Sequence, residues 1–173
     1  MHFVTSDTTS AKDKQVSSRA KIFFSYHWDV QNRVLALVQH LEKYGFECWT
    51  DVHAVAKQPS QAAKSMSLNS RDSLQSEIQR NMKEAKAVVC CVTQKYICSN
   101  NCAKDLALAE LLGKPIVPLL FEWISWPPES GAVKVRKILA PHTYIDLSND
   151  KLYKRSLPSV VTYLKKLPDI FHS

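Results

Sequence analysis

Lys21-Ile-Phe-Phe-Ser-Tyr26 is the stretch on which the fold turns. It is a short, β-prone, nearly continuous apolar run, the pattern of a strand buried within a sheet. Asp29 is placed to cap the helix that follows, where Val30, Val34, Val38, Leu41 and Tyr44 recur at helical spacing. Gly45 suits the residue just past that helix, which needs positive φ. Phe46-Glu-Cys-Trp-Thr50 reads as a second strand, closed by Asp51. Val52 to Ser70 lacks periodicity and is rich in Ser, Gln, Ala and Lys, so it reads as a long loop. Asp72 and Gln75 resemble a capping box opening a helix through Leu74, Ile78 and Met82. Ala87-Val-Val-Cys-Cys-Val92 is the third and most apolar strand. A helix from about Cys102 to Leu112, ended by Gly113, leads to a fourth strand, Pro115-Ile-Val-Pro-Leu-Leu120. Thr143-Tyr-Ile-Asp-Leu147 is a weaker fifth, and an amphipathic helix spans Leu152 to Leu167 despite Pro158.

Strands alternating with helices predict a parallel sheet covered on both faces, an α/β three-layer, flavodoxin-like arrangement. The expected organisation is a flexible leader or linker over 1–20, one domain over 21–168 and a tail over 169–173. Ligands of such sheets bind beyond the carboxyl ends of the strands. That rule directs attention to Ser25–Asp29, Asp51–Asp72, Thr93–Asp105 and Phe121–Pro128.

Composition excludes several function classes. The chain has 173 residues, 45% hydrophobic and 23% charged, ordinary for one globular domain. No apolar run approaches the roughly 20 residues that span a bilayer, so direct membrane insertion is not expected. The net charge of +7 comes from scattered Lys and Arg without a dense basic stripe or aromatic interleaving, which argues against nucleic-acid recognition. Five cysteines, with Cys90 and Cys91 adjacent in an apolar run, fit buried thiols in a reducing cytoplasm better than a disulfide framework. The cysteines lack zinc-knuckle spacing, the histidines do not cluster, and no metal is indicated. Only three glycines exist, at 45, 113 and 131, so neither a P-loop nor a dinucleotide fingerprint can form. The third strand ends Thr93-Gln94-Lys95, without the Asp of a phospho-receiver, and no Gly-x-Ser-x-Gly elbow is present.

The opening strand ending Ser25-Tyr26 resembles that of Toll/interleukin-1 receptor (TIR) domains. Further features fall in the same order: Gly45-Phe46, Asp51, Ser99-x-x-Cys102, Gly113-Lys-Pro-Ile-Val-Pro118 and Trp126-Pro127. The similarity covers about 21–167, and the last two motifs look especially like animal TIR domains that cleave NAD. The resemblance implies a five-stranded parallel sheet flanked by helices. It also implies signalling in innate immune or stress pathways through homotypic assembly with other TIR domains, as a homo-oligomer on activation. The alternative it implies is NAD+ glycohydrolase activity, with NAD as substrate or ligand and no further cofactor required. A nucleotide sensor using the same pocket without hydrolysis is a third reading.

In the NAD-cleaving relatives a Glu lies three residues after the Cys and eight before the Gly, and Asp105 holds that place here. Asp keeps the carboxylate but is one methylene, about 1.5 Å, shorter. Asp105 equally suits a charge in the first turn of a helix, favoured there by the macrodipole. Glu110 lies about 140° round the helix and cannot replace it. The resemblance also places Tyr26, His27, Trp28, Leu74 and Trp126 around the nucleotide, where aromatic rings would stack on flat bases. Against that, Tyr26 and Trp28 can simply cover the sheet end, Trp126 can pack under its own Pro-Pro loop, and His27 can be a solvated loop residue. The loop over 52–72 is longer than in TIR scaffolds, lacks Gly, and is basic through Lys57, Lys64 and Arg71, so it is expected to be mobile.

Overall fold

A computed structural model describes residues 19–51 and 68–171. Most of the expected leader and residues 52–67 of the expected long loop lie outside the described residues; the end of that loop, from Leu68, is helical instead. Five strands form one all-parallel sheet in the order β2-β1-β3-β4-β5. They are β1 (Ala20–Tyr26), β2 (Phe46–Trp49), β3 (Ala87–Val92), β4 (Ile116–Leu120) and β5 (Ile145–Asp146). The helices are α1 (Gln31–Glu42), α2 (Leu68–Glu84), α3 (Gln94–Ile97), α4 (Asn100–Leu111), α5 (Val133–Leu139) and α6 (Asp150–Lys165). The three-layer α/β arrangement expected from the sequence is the one observed.

Each strand sends alternate residues to opposite layers. Ile22, Phe24 and Tyr26 join Val34, Leu37 and Leu41 of α1 and Val160 and Leu164 of α6. Phe23 joins Met82 of α2, Tyr96 of α3, Leu106 of α4 and Ile138 of α5. Every residue of β3 is buried, because helices cover both of its faces; this is why its sequence is continuously apolar rather than alternating. At an end of the sheet, the Phe23 and Trp49 rings stack with centroids 4.8 Å apart.

Helix boundaries are fixed by local hydrogen bonds. Asp29 does not cap α1. A 3-10 turn, Trp28–Val30, precedes that helix, and the His27 side chain accepts the Asp29 N–H through Nδ1 at 3.2 Å. Asp72 lies inside α2, whose first described residue is Leu68, so it is not the cap the sequence suggested. Tyr44 falls past the end of α1 and is exposed rather than on its apolar face. The α4 helix ends in a Schellman motif: Gly113 (φ 65°) donates to Glu110 O, and Lys114 N–H donates to Ala109 O. The expected tail at 169–173 begins inside packed chain, since Ile170 is buried with the α1/α6 layer and Phe171 stacks on Phe46.

Candidate functional site

Beyond the carboxyl end of β1, polar side chains converge where an apolar strand stops. Ser25 shares the face of Phe23 and is fully buried. Its hydroxyl donates to Asp105 Oδ2 at 2.9 Å and lies 2.9 Å from the Tyr96 hydroxyl. A Ser hydroxyl has one hydrogen; donating it to Asp105 makes Tyr96 the donor to Ser25. Caps place both partners. Thr93 accepts the Tyr96 N–H at 3.0 Å and starts α3; Ser99 accepts the Cys102 N–H at 3.3 Å and starts α4. Because Ser99 starts α4 at Asn100, Asp105 sits in the second turn and not the first. The macrodipole account of this carboxylate therefore fails, and its contacts are with β1 instead. On the other face of the same strand, the Tyr26 hydroxyl donates to Asp51 Oδ1 at 2.6 Å, at the end of β2.

Burial dominates the electrostatics. It raises the Asp105 carboxyl to about 7, opposed by the Ser25 hydrogen bond and reinforced by the negative charge of Asp51. Near neutrality the group is thus divided between a hydrogen-bond donor and an anion. Burial, followed by the bond to Asp51, pushes Tyr26 far above the ordinary phenol range. The thiols of Cys90 and Cys102 beside Asp105 are pushed up to about 12, again chiefly by burial, which leaves them unreactive. Cys98, expected to be buried with the other thiols, is exposed, because it ends the short α3 at the surface.

The other sequence candidates do not join this cluster. His27 spends Nδ1 on capping the 3-10 turn, and Trp28 beside it is 75% exposed. Leu74 is half-buried on α2. Trp126 donates through Nε1 to His142 O at 2.8 Å and packs against Tyr144 with centroids 5.1 Å apart. It also packs, half-buried, against the α2–α5 layer. Tyr96 escaped the sequence reading, and Ser25 and Asp51 were noted there only as landmarks. Strand alternation and the Thr93 cap were the signals that could have paired them.

An open cleft of about 740 Å³ runs across the carboxyl ends of the strands, from Asp29 and Arg33 to Trp123 and Ser148, without reaching Asp105. Its charges are already engaged. Arg33 donates to Phe121 O at 2.7 Å and Leu147 O at 3.2 Å, Lys95 pairs with Asp29 at 2.9 Å, and Glu122 accepts the Gln94 N–H at 3.0 Å. Volume favours this cleft; chemistry favours Asp105, where unequal environments act on a carboxylate.

No curated protein sequence matches the chain. Among solved structures, it resembles the TIR domain of the Toll-related receptor TRR-2 from Hydra magnipapillata, at 16% identity and a TM-score of 0.56, over 82% of this chain and 94% of that one. The TIR domains of the activated Roq1 resistosome, which recognises the pathogen effector XopQ, align at 16% identity and a TM-score of 0.56, over 85% and 98% of the two chains. A 2-deoxyribosyltransferase from Bacillus psychrosaccharolyticus, a biocatalyst for nucleoside synthesis, aligns at 18% identity and a TM-score of 0.60, over 86% and 96%. These likenesses establish the fold. The profile of the TIR domain matches residues 22–159, which takes in the Ser25-Tyr26 strand end, Asp105, most of β1 and the whole of β2 to β5. The chain belongs to the TIR domain family.

Proposed function

We propose that this TIR domain is a signalling module of innate immune or stress pathways and acts through homotypic assembly with other TIR domains. The observation that carries this reading is the profile match over 22–159 together with the five-stranded parallel sheet among the described residues. Supporting it, TIR domains of the structurally similar Roq1 belong to an activated resistosome. The place of action we infer is the cytoplasm, which agrees with free cysteines throughout the described residues. Sedimentation of the purified domain across a wide concentration range tests the assembly. A strictly monomeric domain that also ignores other TIR domains when tethered beside them refutes it; weak affinity alone does not, because clustering raises effective concentration.

A second reading, NAD+ glycohydrolase, is favoured by Asp105 itself. Its Oδ2 is anchored on Ser25, a geometry that leaves Oδ1 for a ribose hydroxyl or for the positive charge that develops on the sugar. In the reaction, the bond from ribose C1′ to the nicotinamide nitrogen breaks with its electrons going to that nitrogen. Water supplies the oxygen that bonds C1′, and the products are nicotinamide, ADP-ribose and a proton. The structurally similar deoxyribosyltransferase serves nucleoside synthesis, chemistry at the same kind of sugar–base bond. Nicotinamide release should be abolished in Asp105→Ala. Asp105→Glu should raise it sharply, since about 1 Å of misplacement costs on the order of a hundredfold. Release that persists unchanged in Asp105→Ala eliminates this mechanism, whereas calorimetric binding of NAD without release marks a sensor.

A further inference from the structure

Asp105 reaches the end of β1 on a side chain one methylene shorter than the family's Glu, so what holds its carboxylate decides where the charge sits. Three residues from three elements make that hold. Ser25 is fully buried at the end of β1, Tyr96 is fully buried on α3, and Asp105 is half-buried on α4. The two hydrogen bonds that link them are each 2.9 Å. Tyr96 is itself fixed by the Thr93 cap.

We propose that Ser25 is a positioning residue for the Asp105 carboxylate, held in turn by the Tyr96 hydroxyl. The inference rests on the reading of Asp105 as the reactive carboxylate. The chain of donors runs one way, from Tyr96 to Ser25 to Asp105, and ends on Oδ2. It restrains the rotamer of a short side chain through one of its two oxygens. It also supplies the ionised form with a buried donor, which is how a carboxylate surrounded by an apolar layer keeps a charge near neutral pH. The other titratable groups facing Asp105 oppose ionisation or are silent. Asp51 at the end of β2 repels the charge, and the thiols of Cys90 on β3 and Cys102 on α4 stay protonated. Ser25 is the side chain that favours the anion.

The experiment uses the full chain in four forms: wild type, Ser25→Ala, Ser25→Thr and Tyr96→Phe. The titration midpoint of Asp105 is read from its carboxyl carbon by NMR, and nicotinamide release is measured alongside. A hydrogen bond to a charged group is worth about 1.5–3 kcal/mol, so Ser25→Ala should move the midpoint upward by about one to two pH units. Ser25→Thr keeps the hydroxyl and should restore it. Tyr96→Phe should move it in the same direction by less, since Ser25 still donates. In turnover, Ser25→Ala should lower kcat with KM little changed. A midpoint that stays put in a folded Ser25→Ala overturns the inference; if that variant does not fold, an unmoved midpoint in Tyr96→Phe does so. Absence of release by wild type refutes the glycohydrolase reading separately, and the midpoints alone then decide whether Ser25 positions Asp105.

Discussion

Replacing Asp105 with Asn should stabilise the domain at neutral pH, and the gain should vanish in acid. In the folded chain the carboxyl keeps its proton up to about pH 7, against an ordinary value of 3.8. Between those two values the native state binds a proton that the unfolded chain has released. Stability therefore falls as pH rises through this window, by about 1.4 kcal/mol per pH unit. The penalty is absent below the unfolded value and complete above the folded one. For a carboxyl sealed from water the total would be about 4 kcal/mol; solvent reaching the half-buried group reduces it to about 2 kcal/mol. Asn removes the titration and keeps an oxygen for the Ser25 hydroxyl. At pH 8, Asp105→Asn should unfold roughly 4–8 °C above wild type, using about 2–4 °C per kcal/mol for a domain of this size. At pH 4 the two should melt together. Thermal melts of both proteins from pH 4 to pH 8 check this, and comparing them cancels the titrating groups that do not interact with Asp105. A difference in melting temperature that does not vary with pH, or a less stable variant at pH 8, would refute the reasoning.

Four further substitutions probe the frame around the site. At Gly131 (φ 89°), a Cβ would sit 2.5 Å from Ile97 O, a backbone atom that also accepts the Ala132 N–H. Gly131→Ala should therefore cost about 3 kcal/mol in urea unfolding, while Gly113→Ala, where the space is open, should cost about 1 kcal/mol. Lys114 Nζ donates to Lys83 O at 2.7 Å and Ala85 O at 2.8 Å, closing the end of α2. Lys114→Met should lose about 2 kcal/mol and raise amide exchange in the last turn of α2. Trp126→Phe keeps the ring against Tyr144 but loses the bond to His142 O, and a loss of about 1 kcal/mol in chemical denaturation is the expected result.

The strands were legible because burial on both faces leaves a plain mark. Ala87–Val92 contains no polar side chain, and its place at the centre of the sheet requires none. The short helices were not. Gln94–Ile97 and Val133–Leu139 complete too few turns for a 3.6-residue repeat to show, and α5 has no side-chain cap to announce it. Asp29 misled because a good capping residue was pre-empted by His27 two residues earlier, a choice between nearby side chains that only three-dimensional geometry makes. In the candidate site, motif spacing pointed to Asp105 but not to its surroundings. The resemblance placed Trp126 near the nucleotide; what its motif did not show is that its indole N–H finds an acceptor in His142 O. Ser25 lay inside the quoted motif all along. Its partner could be named only by asking which face of β1 it shares.

That question of faces also explains why this strand end suits charge chemistry. Ser25 and Tyr26 are consecutive, so they point to opposite sides of the sheet, and each meets a carboxylate: Asp105 on one side, Asp51 on the other. A strand of large apolar residues thus ends with negative groups flanking its last turn of backbone. Their repulsion helps raise Asp105, and it costs stability that an uncharged pair of side chains would not. A domain selected for stability alone would not retain that cost, whereas a site that receives a cation would use it. The nicotinamide ring of NAD carries a positive charge until its bond to ribose breaks. Placed at this end of β1, it would be drawn to both carboxylates and would favour the ionised form of Asp105, in which the Ser25 bond is strongest. Under the glycohydrolase reading, the destabilisation that Asp105→Asn should relieve and the attraction that the reaction needs have one source.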